Sequence, residues 1–304
     1  MQKPPISPLA YFILFLPPFF WSTSFIVGRV VAGQIPPWTL NTGRFGVAAL
    51  ILVPLLLHGK AWRAVTRSSL GSLLVMAITG VFAFGSLLYT GLQYTTAVNA
   101  TLVNSTSPIV TACLSWLLIG ERMTCRRILG ALISFIGVGL LLGQGSPRIL
   151  LRLRFNPGDL LVFLATLLWG IYSVSAKKLT QIYSPLVLTG LTSIIGLFLL
   201  LPASLVELSY RAIENDSKKI VMAFLYLGIF SSLVAHWAWN RSILAFGPSR
   251  ASLVYNTQPL FGVVLSVLLL GESLKIYQVI DGAIAFGGVI LGTAGRPPEK
   301  GDRC

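Results

Sequence analysis

The chain has 304 residues, of which 55% are hydrophobic and only 11% charged, with a mean hydropathy of +0.80. An ordinary soluble domain carries roughly a quarter charged residues, so that class is excluded. The net charge of +14 would suit a nucleic-acid binder, but the basic residues sit between apolar runs, which is how membrane topology is written.

Apolar runs, each long enough to cross roughly 30 Å of hydrocarbon, fall near 10–32, 38–57, 70–92, 97–119 and 126–144 in the first half. They recur near 158–178, 184–206, 219–240, 249–270 and 275–295 in the second half. The expectation is an all-α membrane protein of about ten transmembrane helices. Connections are mostly short, which leaves no room for a separate soluble domain. Met1-Gln2-Lys3 followed by an apolar stretch has the look of a signal peptide. However, the region around Trp21 has an internal counterpart at Trp169, so its removal would delete one helix of a matched pair.

The matching is systematic. Ala100-Thr-Leu-Val-Asn-Ser-Thr-Ser-Pro108 reappears as Ala251-Ser-Leu-Val-Tyr-Asn-Thr-Gln-Pro259, 151 residues later. The same offset carries Gly120-Glu121 onto Gly271-Glu272 and Phe135-Ile-Gly-Val138 onto Phe286-Gly-Gly-Val289. With a slip of three residues, Trp21 maps onto Trp169, Ser24 onto Tyr172 and Arg29 onto Lys177. Two units are expected, 1–147 and 148–304. Five spans per unit make the second enter the membrane upside down relative to the first, the plan of a carrier that opens alternately to either side.

With the N-terminus inside, 14 basic residues fall on the inner side and 7 on the outer. Both termini are therefore expected in the cytoplasm, in a cell inner (plasma) membrane. The basic loop at 148–154 opposes that orientation. Cys113, Cys125 and Cys304 show no metal-ligand spacing and imply no disulfide framework. Nothing implies a cofactor, a metal or a nucleic-acid partner. The expected partners are the lipid bilayer, a small-molecule substrate and, through glycine-rich fifth and tenth spans, other helices or a second copy in a homodimer.

The twofold unit, Trp in the first span, Arg44-Phe45 in the second, a proline-containing fourth span ending in Gly-Glu and a glycine-rich fifth span together resemble EamA-type transporters of the drug/metabolite transporter superfamily. The resemblance covers nearly the whole chain. It implies ten helices, an inverted pseudo-symmetric fold and movement of small organic solutes, often export of amino acids and related metabolites.

Candidate substrate-binding residues follow from what a membrane makes costly. Pro108 and Pro259 free the carbonyls of Asn104 and Tyr255, four residues earlier. Asn104 and Ser105, with Tyr255 and Asn256, fall on the same helical face as the prolines. Such a stripe either lines a cavity or bonds helices together. Trp21 and Trp169 lie mid-span instead of at the headgroup belt. With Ser24 and Tyr172 three residues on, they either meet substrate or pack helices. Arg44 lies near the middle of the second span, where an arginine faces a cavity or a partner. Arg29 and Lys177 are close enough to span ends to snorkel. His236 titrates in a site or bonds at a helix interface. Asp159, Glu207 and Asp281 fall at span ends, where solvation or capping suits them.

Spans one and six lack the central carboxylate that small multidrug relatives of the superfamily carry, which favours neutral, zwitterionic or anionic cargo. A membrane enzyme is disfavoured because no P-loop, HExxH or GxSxG is present. A nucleotide-sugar or sugar-phosphate carrier and a passive channel stay open as alternatives to a secondary carrier.

Overall fold

The structure is a computed structural model that describes residues 7–31, 33–59, 65–95, 97–121, 124–144, 148, 151, 156–213, 217–270 and 274–293. Helix dominates, and no strand occurs among the described residues. The first half contains α1 (Pro8–Val30), α2 (Pro37–His58), α3 (Arg67–Gly91), a broken α4 (Ala97–Asn104 and Ser107–Ile119) and α5 (Cys125–Leu142). The second contains α6 (Pro157–Leu179), α7 (Pro185–Tyr210), α8 (Lys218–Phe246), a broken α9 (Pro248–Tyr255 and Gln258–Leu270) and α10 (Ile276–Thr293). Eight described helical segments are long and apolar enough to cross a membrane. With α1 and the two-part α9, the plan is one of about ten spans. Glu272, Cys304 and the Arg29 side chain lie outside the described residues.

Helix starts follow local chemistry. Proline stands in the first turn of α2, α6 and α7, where its missing N–H costs nothing. The Asn156 side chain accepts from the N–H groups of Gly158 and Asp159, while Asp159 Oδ2 accepts from Asn156 N at 2.8 Å, a capping box for α6. Glu207, near the end of α7, reaches the start of α2. Its carboxylate accepts from Thr39 N at 2.8 Å and Thr39 Oγ1 at 3.0 Å. Two of the three carboxylates expected at span ends therefore cap helices, whereas Asp281 is only 6% exposed and is buried instead of solvated. Cys125 is disulfide-bonded, a correction to the reading of the cysteine spacing.

Inversion is visible where α5 meets α10. A Cβ added to Gly130 would stand 2.6 Å from Gly292 Cα, and one on Gly137 would stand 2.3 Å from Ala285 N. As numbering rises on α5 it falls on α10, so these two repeat mates run antiparallel. Their backbones meet through glycine because no side chain fits between them. The glycine faces that the sequence offers to other helices or a second copy are thus turned toward each other within one chain.

Repeat mates also meet at the helix breaks. The Asn104 Nδ2 donates to Tyr255 Oη at 2.7 Å, and Asn256 Nδ2 donates to the Ser105 carbonyl at 3.1 Å. Both pairs are separated by 151 residues, the repeat offset itself. Trp21 and Trp169, mates under the slipped offset, stand edge to face with centroids 5.1 Å apart. A residue that touches its own mate lies beside the pseudo-twofold axis, so α1, α4, α6 and α9 place these residues at the centre of the molecule.

Candidate functional site

The site is assembled on irregular helix. A π-helical stretch interrupts α3 at Ala77–Ala83 and α8 at Leu227–Val234, matching places in the two repeats. A π turn disturbs the regular backbone ladder and leaves carbonyls for other donors. In α8, the Ser231 carbonyl accepts from Trp21 Nε1 at 3.2 Å and lies 2.9 Å from His236 Nδ1. In α3, the Val81 carbonyl accepts from Asn41 Nδ2 at 2.8 Å. Side chains from neighbouring helices are thereby fixed to both irregular stretches.

Asn41 passes that order on to Arg44. Its Oδ1 accepts from Arg44 Nε at 3.0 Å, three residues along the same face of α2. Arg44 Nη1 donates weakly to Tyr89 Oη at 3.2 Å and Ser231 Oγ at 3.4 Å. The guanidinium also stands over the rings of Phe45 and Tyr89, at 4.8 and 5.6 Å. Arg44 is only 4% exposed. Among the described residues none of its partners is a carboxylate, and no group accepts from Nη2.

A narrow, largely closed cavity opens beside this cation. Trp21, Ser24, Arg44 and Phe84 line it with Leu88, Tyr89, Trp169, Ser231 and Tyr255. Both repeats contribute. The lining leans toward one end of the bundle, because Leu88 and Tyr89 lie in the last turn of α3 and Arg44 lies early in α2. The opposite end is packed shut. Asn240 Nδ2 bonds Tyr172 Oη and Thr189 Oγ1, each at 2.9 Å, and Trp239 Nε1 donates to Ser173 Oγ at 3.1 Å. Tyr183 Oη and Ser69 Oγ, 2.5 Å apart, tie α3 to the connection after α6.

Aromatic rings form the floor between these regions. Trp169 stacks on Tyr172 with centroids 4.8 Å apart and lies tilted against Phe84, also at 4.8 Å. Trp21 meets Trp169, Trp239, Tyr255 and His236 within 5.6 Å. His236 is 2% exposed and held in this floor, outside the cavity lining.

Five of the nine residues singled out in the sequence reach the cavity wall: Trp21, Ser24, Arg44, Trp169 and Tyr255. Asn104 stands behind Tyr255 and also accepts from Thr166 Oγ1 at 3.2 Å. Ser105 and Asn256 bond each other across the axis, and Asn256 also donates to Ser134 Oγ at 3.3 Å. Tyr172 lies beneath Trp169 in the closed end. The polar stripe of α4 and α9 therefore bonds helices together more than it faces open space. Sequence reasoning missed Phe84, Leu88, Tyr89 and Ser231. The spacing of Asn41 and Arg44 on one helical face was the readable signal for the positioning partner.

These features have relatives. Residues 8–143 and 156–293 each match the EamA-like transporter family. YyaM of Bacillus subtilis (strain 168), an uncharacterized transporter, is 29% identical over 272 residues, 89% of this chain and 89% of the relative. An uncharacterized transporter of Archaeoglobus fulgidus is 27% identical over 288 residues, 93% of this chain and 97% of the relative. The S-adenosylmethionine/S-adenosylhomocysteine transporter of Chlamydia muridarum is 24% identical over 275 residues, 88% of this chain and 86% of the relative. A protein solved by crystallography superposes with a TM-score of 0.77 at 20% identity, over 95% of this chain and 97% of its own, which shows the fold alone. Two family matches on one chain, mated helices running antiparallel and a cavity between the repeats lead to one conclusion: this integral membrane protein belongs to the EamA-like transporter family.

Proposed function

We propose that this transporter is a secondary carrier, and specifically an exporter, of small organic metabolites such as amino acids, working by alternating access around the cavity between its two repeats. The observation that carries the reading is the position of the cavity. It lies beside contacts between repeat mates, where a rocking of one half against the other would expose it to either face. The units 1–147 and 148–304 would be the two rocking halves. Of the nine residues named from the sequence, Trp21, Ser24, Arg44, Trp169 and Tyr255 meet substrate in this reading, and Asn104, Ser105, Tyr172 and Asn256 support the wall from behind. The Chlamydia relative is named as a transporter of S-adenosylmethionine and S-adenosylhomocysteine, which keeps small organic metabolites in view.

With both termini cytoplasmic in the inner (plasma) membrane, the sealed end carrying Tyr172 and Asn240 faces inward and the cavity faces outward. That would be the releasing state of an exporter. Counterflow in proteoliposomes tests the carrier reading: unlabelled solute on the far side should accelerate uptake of labelled solute several-fold. Uptake that is indifferent to solute on the far side would mean a channel.

A further inference from the structure

We infer, resting on the carrier reading above and narrowing its cargo away from amino acids, that the cavity recognises an organic monoanion, a monocarboxylate with an apolar aromatic or branched body, and that it needs no ammonium group on its cargo. Among the described residues, Arg44 is the one charged residue of the wall. Its Nε and Nη1 are engaged by Asn41, Tyr89 and Ser231, and no described residue accepts from Nη2 of this wall residue. The long Nη1 bonds to Tyr89 and Ser231 can give way to a carboxylate oxygen, which with Nη2 completes a two-pronged pairing. The rest of the wall, chiefly Trp21, Phe84, Leu88 and Trp169, offers an apolar surface to the remainder of the molecule.

Charge balance selects the class. Uncompensated charge inside a membrane is costly. A monoanion neutralises Arg44 when the cavity closes over it. A dianion such as a phosphate monoester or a nucleoside-diphosphate sugar would leave one negative charge. A zwitterion leaves the site as charged as it was when empty, and an amine raises it to two positive charges. Among the described residues no carboxylate lines the wall to receive an ammonium. Two of the ring faces that might substitute are already engaged: Trp169 lies between Tyr172 and Phe84, and Tyr89 already carries Arg44 over its ring.

The test is a charge series on constant bodies, measured by thermal unfolding of the purified wild-type protein and then by counterflow in liposomes. The probes are 3-phenylpropionate, L-phenylalanine, 2-phenylethylamine and phenyl phosphate, with 4-methylpentanoate, L-leucine and isopentylamine as the branched counterparts. At least one monocarboxylate should stabilise the protein at tenfold lower concentration than its amino acid or amine counterpart, because binding to the folded state raises stability by mass action. In Arg44→Ala that affinity should fall roughly thirtyfold or more, with partial recovery in Arg44→Lys.

Equal or tighter binding of the amino acids, the amines or phenyl phosphate overturns the inference, as does no response to either monocarboxylate. The wild-type series decides this even if both variants misfold. Counterflow of an amino acid with inert monocarboxylates would overturn the inference and leave the carrier standing. Monocarboxylate binding without trans-stimulation would uphold the inference and remove the carrier.

Discussion

Arg44 concentrates the chemistry of the site in one residue. An arginine at this depth costs at least roughly 2.5–3.5 kcal/mol on insertion scales, and its described partners are neutral. Replacement by alanine removes the cost along with the charge. We expect Arg44→Ala to reach the membrane at near wild-type level and to lose most transport activity, measured as initial uptake per folded protein. Arg44→Lys should restore only part of it, because an ammonium cannot hold Asn41, Tyr89 and an anion in one plane. Full activity in both variants would place Arg44 outside the transport cycle.

The amides on the axis behave differently. Asn104 and Asn256 bond groups on the opposite repeat, so truncation leaves buried partners unsatisfied at about 1–3 kcal/mol. Asn104→Ala and Asn256→Ala should lower the melting temperature of the detergent-solubilised protein while leaving apparent affinity within about twofold, since each bond broken lies behind the wall. This role was half legible beforehand. The repeat offset singled out Asn104, Ser105, Tyr255 and Asn256, but a face on one helix does not say whether a cavity or another helix lies opposite.

At the level of elements, glycine decides how closely α5 and α10 approach. Gly137→Leu would force a side chain onto the Ala285 backbone, where even a Cβ would stand at 2.3 Å. We expect destabilisation of about 1–3 kcal/mol or more, seen as an early melt and loss of monodispersity. Gly287→Ala, where an added Cβ meets nothing within 4 Å, should stay within about 0.5 kcal/mol of wild type. Small residues at packing intervals were readable in the sequence because only helix contact rewards them in an apolar chain. The π stretches of α3 and α8 were not. No residue identity marks a change from i→i+4 to i→i+5 bonding. The helix breaks at Asn104 and Tyr255 were readable, because Pro108 and Pro259 remove fixed donors.

For the whole molecule, orientation in the membrane and alternation between its faces can be read directly with engineered cysteines. The distribution of Lys and Arg favours cytoplasmic termini. In a protein with its native cysteines replaced by serine, Tyr94→Cys should react with an impermeant maleimide on intact cells and Ile182→Cys should not. Both positions are well exposed, at 63% and 62%, so the difference reports sidedness. The reverse pattern would invert the topology and make the observed cavity inward-facing.

The most direct test of a cavity that serves both sides is a single cysteine in its wall. Ser24 suits this, since its Oγ bonds only the Phe20 carbonyl of its own helix, at 2.6 Å. Ser24→Cys in oriented proteoliposomes should react with an impermeant maleimide applied at the Tyr94 end of the bundle. Saturating substrate should make it reactive also to reagent applied at the Ile182 end, with modification from either side blocking the other. Reaction from the Tyr94 end alone, whatever solute is present and while transport proceeds, would contradict alternating access at this cavity.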